Sequence, residues 1–233
     1  MIKIAAISDM HGRLEGLDPR GCEICVVAGD FSRQTGFGRT AVKEQREWIY
    51  DEFFGWTGRF QDTTFVVVAG NHDLCLDPAV TSRYAGENWT VEWPKNVKYL
   101  HDSEAEVSGM KFYGTPWIPI INYRWAFEGE RDKLKKRFSA IPENVDVLIA
   151  HTPPRLPGYQ GDISLEFGAD SDKFGSVELA EALFEKRPHR VFCGHIHSGS
   201  HDPFVFGDTV VQNVSRVNES YEVAYEPAVV VAG

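Results

Sequence analysis

The sequence predicts a mixed α/β fold in which two sheets are covered by helices on their outer sides. Three observations predict it. Short apolar runs alternate with helical stretches, the pattern of parallel strands joined by crossovers. Two other pairs of runs are split by tight-turn residues, Ser108-Gly109 and Gly207-Asp208, as in antiparallel hairpins. The chain has 233 residues, 42% of them hydrophobic and 12% aromatic, enough to bury a large shared core. No repeat, low-complexity tract or linker breaks it, so residues 1–233 are expected to form one domain.

In chain order, Ile2–Ile7 and Glu23–Ala28 read as short buried strands, each ending at a polar residue that could do chemistry. Ala41–Phe54 has helical spacing, with Val42, Trp48, Ile49 and Phe53 apolar among charged neighbours. Thr63–Ala69 is a β-branched run and a third buried strand. Glu104–Val107 and Lys111–Tyr113 pair as the first hairpin. Glu130–Phe138 is a charged surface helix, and Val145–Ala150 another buried strand. Ser176–Glu185 reads as a helix with Ser176 near its N-cap and Leu179, Ala182 and Leu183 facing inward. Val191–Cys193 is a short strand, Val205-Phe206 and Thr209–Val211 form the second hairpin, and Ala228–Ala232 is the last strand.

The formal net charge is −10, from 34 acidic and 24 basic residues, which opposes binding of long nucleic acid. A pair of divalent cations would add about four positive charges in one cleft, so a small anionic substrate remains compatible. No window approaches ~18 consecutive apolar residues, and the first residues lack a signal-peptide pattern, so a cytosolic protein is expected. Cys22 and Cys25 form a C-x-x-C with no second pair at zinc spacing, and Cys25 sits in an apolar run. All four cysteines are expected to be reduced and structural.

The main clue lies at the strand ends. They read Ser8-Asp9-Met10-His11-Gly12, Ala28-Gly29-Asp30-Phe31, Ala69-Gly70-Asn71-His72-Asp73, Ala150-His151-Thr152-Pro153-Pro154 and Cys193-Gly194-His195-Ile196-His197. Any one of these is explained by a turn or a hydrogen-bonded structural histidine. Together they hold five of the eight histidines, at strand ends that a sheet brings to one edge. Carboxylate, imidazole and amide oxygen suit Mn, Fe or Zn, whereas an all-oxygen set would suit Mg or Ca. Asp9 and His11, two residues apart on extended chain, are expected to point the same way.

The order D-x-H, G-D, G-N-H-D, a lone His after a strand, then G-H-x-H resembles the calcineurin-like metallophosphoesterases over nearly the whole chain. The stretches Ala28–Ser32, Leu100–Glu104, Gly114–Trp117 and Ile149–Pro154 most resemble the fetal-brain-type metallophosphoesterase-domain proteins, a group associated with hydrolysis of cyclic nucleotides and related phosphodiesters. The resemblance implies a four-layer α/β/β/α sandwich. It implies that Asp9, His11 and His197 bind one cation, that Asp30 bridges to a second, and that Asn71, His151 and His195 complete the second site. The implied chemistry is two-metal hydrolysis of a small phosphodiester by a shared hydroxide, with Mn as the expected metal and Fe or Zn as alternatives. His72 would contact the phosphate and protonate the leaving alkoxide.

One departure stands out. Many relatives carry a second Asp in the G-D motif that steadies the catalytic His, and here that position is Arg33. Asp73 or another carboxylate is expected to take over, or His72 is less firmly held. Phe31, Arg33 and Trp117 are the substrate-contact candidates, with Trp125 and Tyr159 as further ring-stacking candidates. His101, His189 and His201 are expected to stand apart from the metals. Two alternatives remain: a phosphomonoesterase or protein phosphatase of the same superfamily, and a catalytically silent scaffold that binds a partner protein.

Overall fold

The first sheet of the computed structural model, which describes residues 1–85, 89–163 and 174–232, contains β1 (Ile2–Ile7), β2 (Ile24–Ala28), β3 (Thr64–Val68) and β4 (Val97–Leu100). The second contains β5 (Ser103–Val107) and β6 (Met110–Thr115), then, after a two-residue ribbon of β7 (Ile118–Pro119) and β8 (Glu128–Gly129), β9 (Val147–Ala150), β10 (Arg190–Cys193), β11 (Phe204–Phe206) and β12 (Thr209–Asn213). The last strand, β13 (Ala228–Ala232), returns to the first sheet. The orders are β13-β1-β2-β3-β4 and β11-β12-β10-β9-β6-β5. β1 to β4 run parallel with β13 antiparallel, and β6, β9, β10 and β12 run parallel between the two antiparallel hairpins.

Strand alternation explains why two sheets and two helical layers form. Ile4, Ala6, Ile24, Val26, Ala28, Val66 and Val68 face Phe112, Val147, Ile149 and Phe192 of the other sheet. The intervening Ala5, Ile7, Cys25, Val27, Phe65 and Val67 face outward beneath aromatic side chains such as Trp48 and Phe53. Strands buried on both faces read as unbroken apolar runs. Each fully buried Val or Ile side chain contributes roughly 1.5–3 kcal/mol of transfer free energy.

The first predicted helix is three segments. α1 (Arg39–Trp48) passes through a π-helical turn at Ile49–Phe53 into α2 (Phe54–Thr57), with Trp48, Ile49, Phe53 and Trp56 buried along it. α3 (Pro78–Ala85) was not anticipated. Its start carries a helix signature, since Asp77 Oδ1 accepts the Ala79 N–H at 2.7 Å ahead of a Pro at the first helical position. α4 (Arg131–Ser139) and α5 (Val177–Lys186) lie one residue from their expected positions. Ser176 is the N-cap of α5, its hydroxyl accepting the Leu179 N–H at 3.1 Å. β4 was also unanticipated.

All four cysteines are free and buried, and burial pushes the Cys25 thiol far above its ordinary range. Among the described residues, no helix is long and apolar enough to cross a membrane.

Candidate active site

The five motifs leave the carboxyl ends of β1, β2, β3, β9 and β10, so both sheets contribute to one edge. Asp9 and His11 do not lie on extended chain as expected. Their φ values are +52° and +45°, and Asp30 and His195 are also left-handed at +49° and +69°. Such backbone costs ~1–3 kcal/mol per residue and persists only where the surroundings enforce it. Here Asp9 N donates to Gly29 O at 3.0 Å, His11 N to Asp30 O at 2.9 Å and Gly12 N to Phe31 O at 3.0 Å. These bonds curl the loop after β1 against the loop after β2. Convergence of Asp9 and His11 therefore comes from this curl.

The glycines before Asn71 and His195 have a steric reason. A Cβ at Gly70 would lie 2.2 Å from Asp30 Oδ1, and one at Gly194 would lie 2.2 Å from Asp9 Oδ2. No larger residue fits behind these carboxylates.

The side chains form three overlapping clusters: Asp9, His11 and His197; His11, Asp30 and His72; Asp30, His151 and His195. His11 Nε2 and His197 Nε2 are 3.3 Å apart, and His197 Nε2 is 3.5 Å from Asp9 Oδ1. His151 Nε2 is 3.2 Å from Asp30 Oδ2 and 3.1 Å from Asn71 Oδ1. Asp30 is shared by two clusters and is buried, as is Asp9. Two buried imidazole nitrogens facing each other beside carboxylates form a candidate donor set for a cation, and the side chains of all seven expected ligands meet here. The supporting contacts point the same way. His151 Nδ1 hydrogen-bonds Ala28 O at 2.8 Å, which leaves Nε2 free to coordinate. Asp9 Oδ2 accepts Ser215 Oγ at 2.7 Å and the His195 N–H at 3.0 Å.

Electrostatics divide the site. Burial opposes ionisation of Asp9, but its contact with His197 and the charge of His151 outweigh this and hold the carboxyl below the usual range. Burial likewise works against Asp30, and the His151 and His72 charges overcome it. Burial lowers His11 and His195 to about 3, so both are neutral donors at pH 7. His151 is also buried, yet Asp30 lifts it to about 9. A dication between Asp30 and His151 would displace that proton.

A protein-family model, the calcineurin-like phosphoesterase, matches residues 2–199. The chain belongs to that family. Over 98% of its length it is 29% identical to human metallophosphoesterase domain-containing protein 1, covering 70% of that protein. A phosphopantetheinyl hydrolase from Mycobacterium tuberculosis shares the fold at TM-score 0.53 and 15% identity, covering 91% of this chain and 88% of that one. A Thermus thermophilus protein does so at TM-score 0.58 and 15% identity, with the same coverage. The chain is thus a member of a hydrolase family that uses divalent metals, and its His/Asp clusters supply candidate ligands.

Several of the expected substrate contacts do not face the cleft. Phe31 is fully buried between Trp48 and Phe53, an aromatic cluster beneath α1. Trp117 is buried away from the cleft, donating its Nε1–H to Asp102 at 2.8 Å beneath Lys133 and Arg137. That network accounts for the Leu100–Glu104 and Gly114–Trp117 stretches as structural: Asp102 also accepts Thr115 Oγ1 at 2.8 Å. Tyr159 is buried against Cys193. Arg33 is exposed beside Gly12 and does not line the cleft. Trp125 does line it, with its ring 4.3 Å from that of His72.

Asp73 does not hold His72: Asp30 Oδ1 accepts its backbone N–H at 2.7 Å, and the imidazole Nδ1 is held by an amide. That Nδ1 hydrogen-bonds Gln34 Oε1, one residue beyond Arg33. Asp73 instead accepts Ser32 N, Ser32 Oγ and Gly70 N, and burial with the nearby Asp30 charge pushes it up to about 6. Gln45 braces the same turn, its Nε2 donating to His72 O at 2.6 Å. His101 lies at Asp102 and His189 at Asp146. His201 stacks on Tyr225 and bonds Ser215 O, so it supports the partner of Asp9. Sequence reasoning missed Gln34, Ser215, Glu219 and Tyr221; the last two line the cleft.

Proposed function

We propose that the chain is a metal-dependent phosphodiesterase acting on small phosphodiesters, with cyclic nucleotides as the leading substrate class. The observation that carries this reading is Asp30, buried and shared between two His-bearing clusters drawn from both sheets. Asp9, His11 and His197 would hold one cation, Asn71, His151 and His195 the other, and Asp30 both. Two divalent cations there would neutralise phosphoryl charge and lower the pKa of water towards ~7.

The preference for a diester rests on the cleft. It encloses about 260 Å³ and is lined by the rings of Trp125 and Tyr221 beside the acidic Glu219. The two cations would neutralise phosphoryl charge, and the rings suit the apolar second substituent that a diester carries.

His72 is assigned to the leaving group on the strength of two contacts. Gln34 Oε1 accepts from Nδ1, which directs Nε2 towards the cleft, 3.9 Å from Asp30 Oδ2. Burial lowers the His72 pKa in the free site, and the negative charge of a bound diester acts in the opposite sense. Donation to the departing alkoxide requires the imidazolium form, with one proton held on Nδ1 by Gln34 and a second on Nε2 to be given up, a general-acid role worth ~10²–10⁴-fold.

The test compares bis(p-nitrophenyl) phosphate with p-nitrophenyl phosphate, with Mn²⁺ added or chelated. Mn²⁺-dependent diester turnover supports the proposal. Monoester-only turnover supports the phosphatase alternative, and no turnover with any metal the scaffold. His72→Ala should retain Mn²⁺ while diester turnover falls at least ~10²-fold; wild-type turnover in that variant would refute its role.

A further inference from the structure

One wall of the cleft is the segment 121–125, which joins β7 to β8, and it has little regular structure to hold it. One side chain holds four of its five backbone N–H groups, the fifth, that of Arg124, donating to Asn122 Oδ1 at 3.1 Å. Glu128 Oε1 accepts the backbone N–H groups of Ile121 at 2.6 Å, Asn122 at 2.9 Å and Tyr123 at 3.2 Å, and its Oε2 accepts that of Trp125 at 2.9 Å. Four peptide donors on one carboxylate make a nest built around an anion. Charge-assisted bonds of this kind are roughly twice as strong as neutral ones. The far end of the segment is tied to the site itself, because Ala126 N donates to Asn71 O at 3.1 Å.

The segment presents Ile121, 52% exposed, and the half-buried Trp125 to the cleft. The Trp125 ring lies 4.3 Å from His72 and 4.7 Å from Phe37, whose ring also carries the Arg124 guanidinium. Its position is therefore set by packing on two sides and by the backbone beneath it. Tyr221 also lines the cleft, its ring 6.2 Å from that of His72. A planar group entering beside the phosphate would meet aromatic and aliphatic surface.

We propose that Glu128 is a positioning residue whose carboxylate shapes segment 121–125 into a ring-binding wall, and that this wall selects phosphodiesters in which one substituent is a planar ring. The inference rests on the phosphodiesterase reading and adds the feature that discriminates among diesters. Glu128 touches no substrate; it acts through Trp125 and Ile121.

Two measurements on the full chain test it. The first is calorimetric affinity of the Mn²⁺-loaded protein for diphenyl phosphate and for dimethyl phosphate. Wild type should prefer diphenyl phosphate, and Trp125→Ala and Glu128→Ala should each reduce that preference about tenfold, within the range for loss of one aromatic stack. Glu128→Gln should fall between, because its carbonyl still serves Ile121, Asn122 and Tyr123 while its amide N–H₂ confronts the Trp125 N–H. The second is the rate of tryptic cleavage after Arg124 in metal-free protein, which should rise at least about tenfold in Glu128→Ala as the segment loosens. An unchanged ring preference in either alanine variant, or unchanged protease resistance in Glu128→Ala, overturns the proposal. Failure of wild type to bind either diester would instead overturn the phosphodiesterase reading, and this proposal with it.

Discussion

The glycine before His195 is a steric requirement whose removal can be sized from the structure. A Cβ added at Gly194 would stand 2.0 Å from Ser8 Oγ and 2.2 Å from Asp9 Oδ2, where ordinary contact is 3.4–4 Å. Gly194 has no left-handed φ, so alanine is acceptable to the backbone and the perturbation is steric alone. Neither neighbour is free to yield. Ser8 Oγ donates to Ala28 O at 2.9 Å, and Asp9 Oδ2 receives Ser215 Oγ at 2.7 Å. The Asp9 carboxylate must therefore retreat by about 1 Å and lose its place opposite His197. Misplacement on that scale costs ~10²-fold in rate, about 2.7 kcal/mol of barrier. Disturbed ligand support costs ~10–100-fold in metal affinity. The assay is Mn²⁺ titration of Gly194→Ala by calorimetry, alongside kcat/KM for bis(p-nitrophenyl) phosphate. Affinity and turnover both within about threefold of wild type would refute the reasoning, because Asp9 would then tolerate displacement.

Two further outcomes follow from single contacts. Gln34→Ala should lower kcat about tenfold or more with little change in KM, since Gln34 holds His72 and does not line the cleft. Gln34→Glu restores the acceptor and should recover most of the loss; equal loss in both variants would contradict a positioning role. Gly55 lies in α2 with nothing within 4 Å of an added Cβ and no left-handed φ. Gly55→Ala should raise stability by about 0.5–1 kcal/mol and Tm by about 2–3 °C. A lower Tm by calorimetry would show that the helix does not persist there.

The convergence of the seven candidate ligands was legible because each needs only a strand end and a residue type, and parallel strands bring their ends to one edge. Why Asp9 and His11 converge was not legible. It depends on bonds from the loop after β1 to Gly29, Asp30 and Phe31, partners some twenty residues away. Phe31 follows the candidate ligand Asp30 and looked available to substrate. Whether a ring there turns to the cleft or to the core is decided by the room beneath Trp48 and Phe53, which no local pattern reports. Gln34 was hidden for a related reason. Arg33 Cβ abuts Gly12, and the chain beyond it turns Gln34 back onto His72. α3 carried a readable start at Asp77-Pro78 but little amphipathic stripe, so the periodic signal was weak. Tyr221 and Glu219 reach the cleft on a turn held by Asn218 Oδ1, which accepts the Ser220 and Glu222 N–H groups. That turn lies far in sequence from every motif.

Anomalous scattering from crystals grown with excess Mn²⁺ tests the central claim most directly. Wild type should show two peaks flanking the Asp30 carboxylate, one against Asp9, His11 and His197 and the other against Asn71, His151 and His195, and Asp30→Asn should lose at least one of them. A single peak or none in wild type, or two peaks undiminished in Asp30→Asn, would contradict a shared carboxylate at the centre of this site.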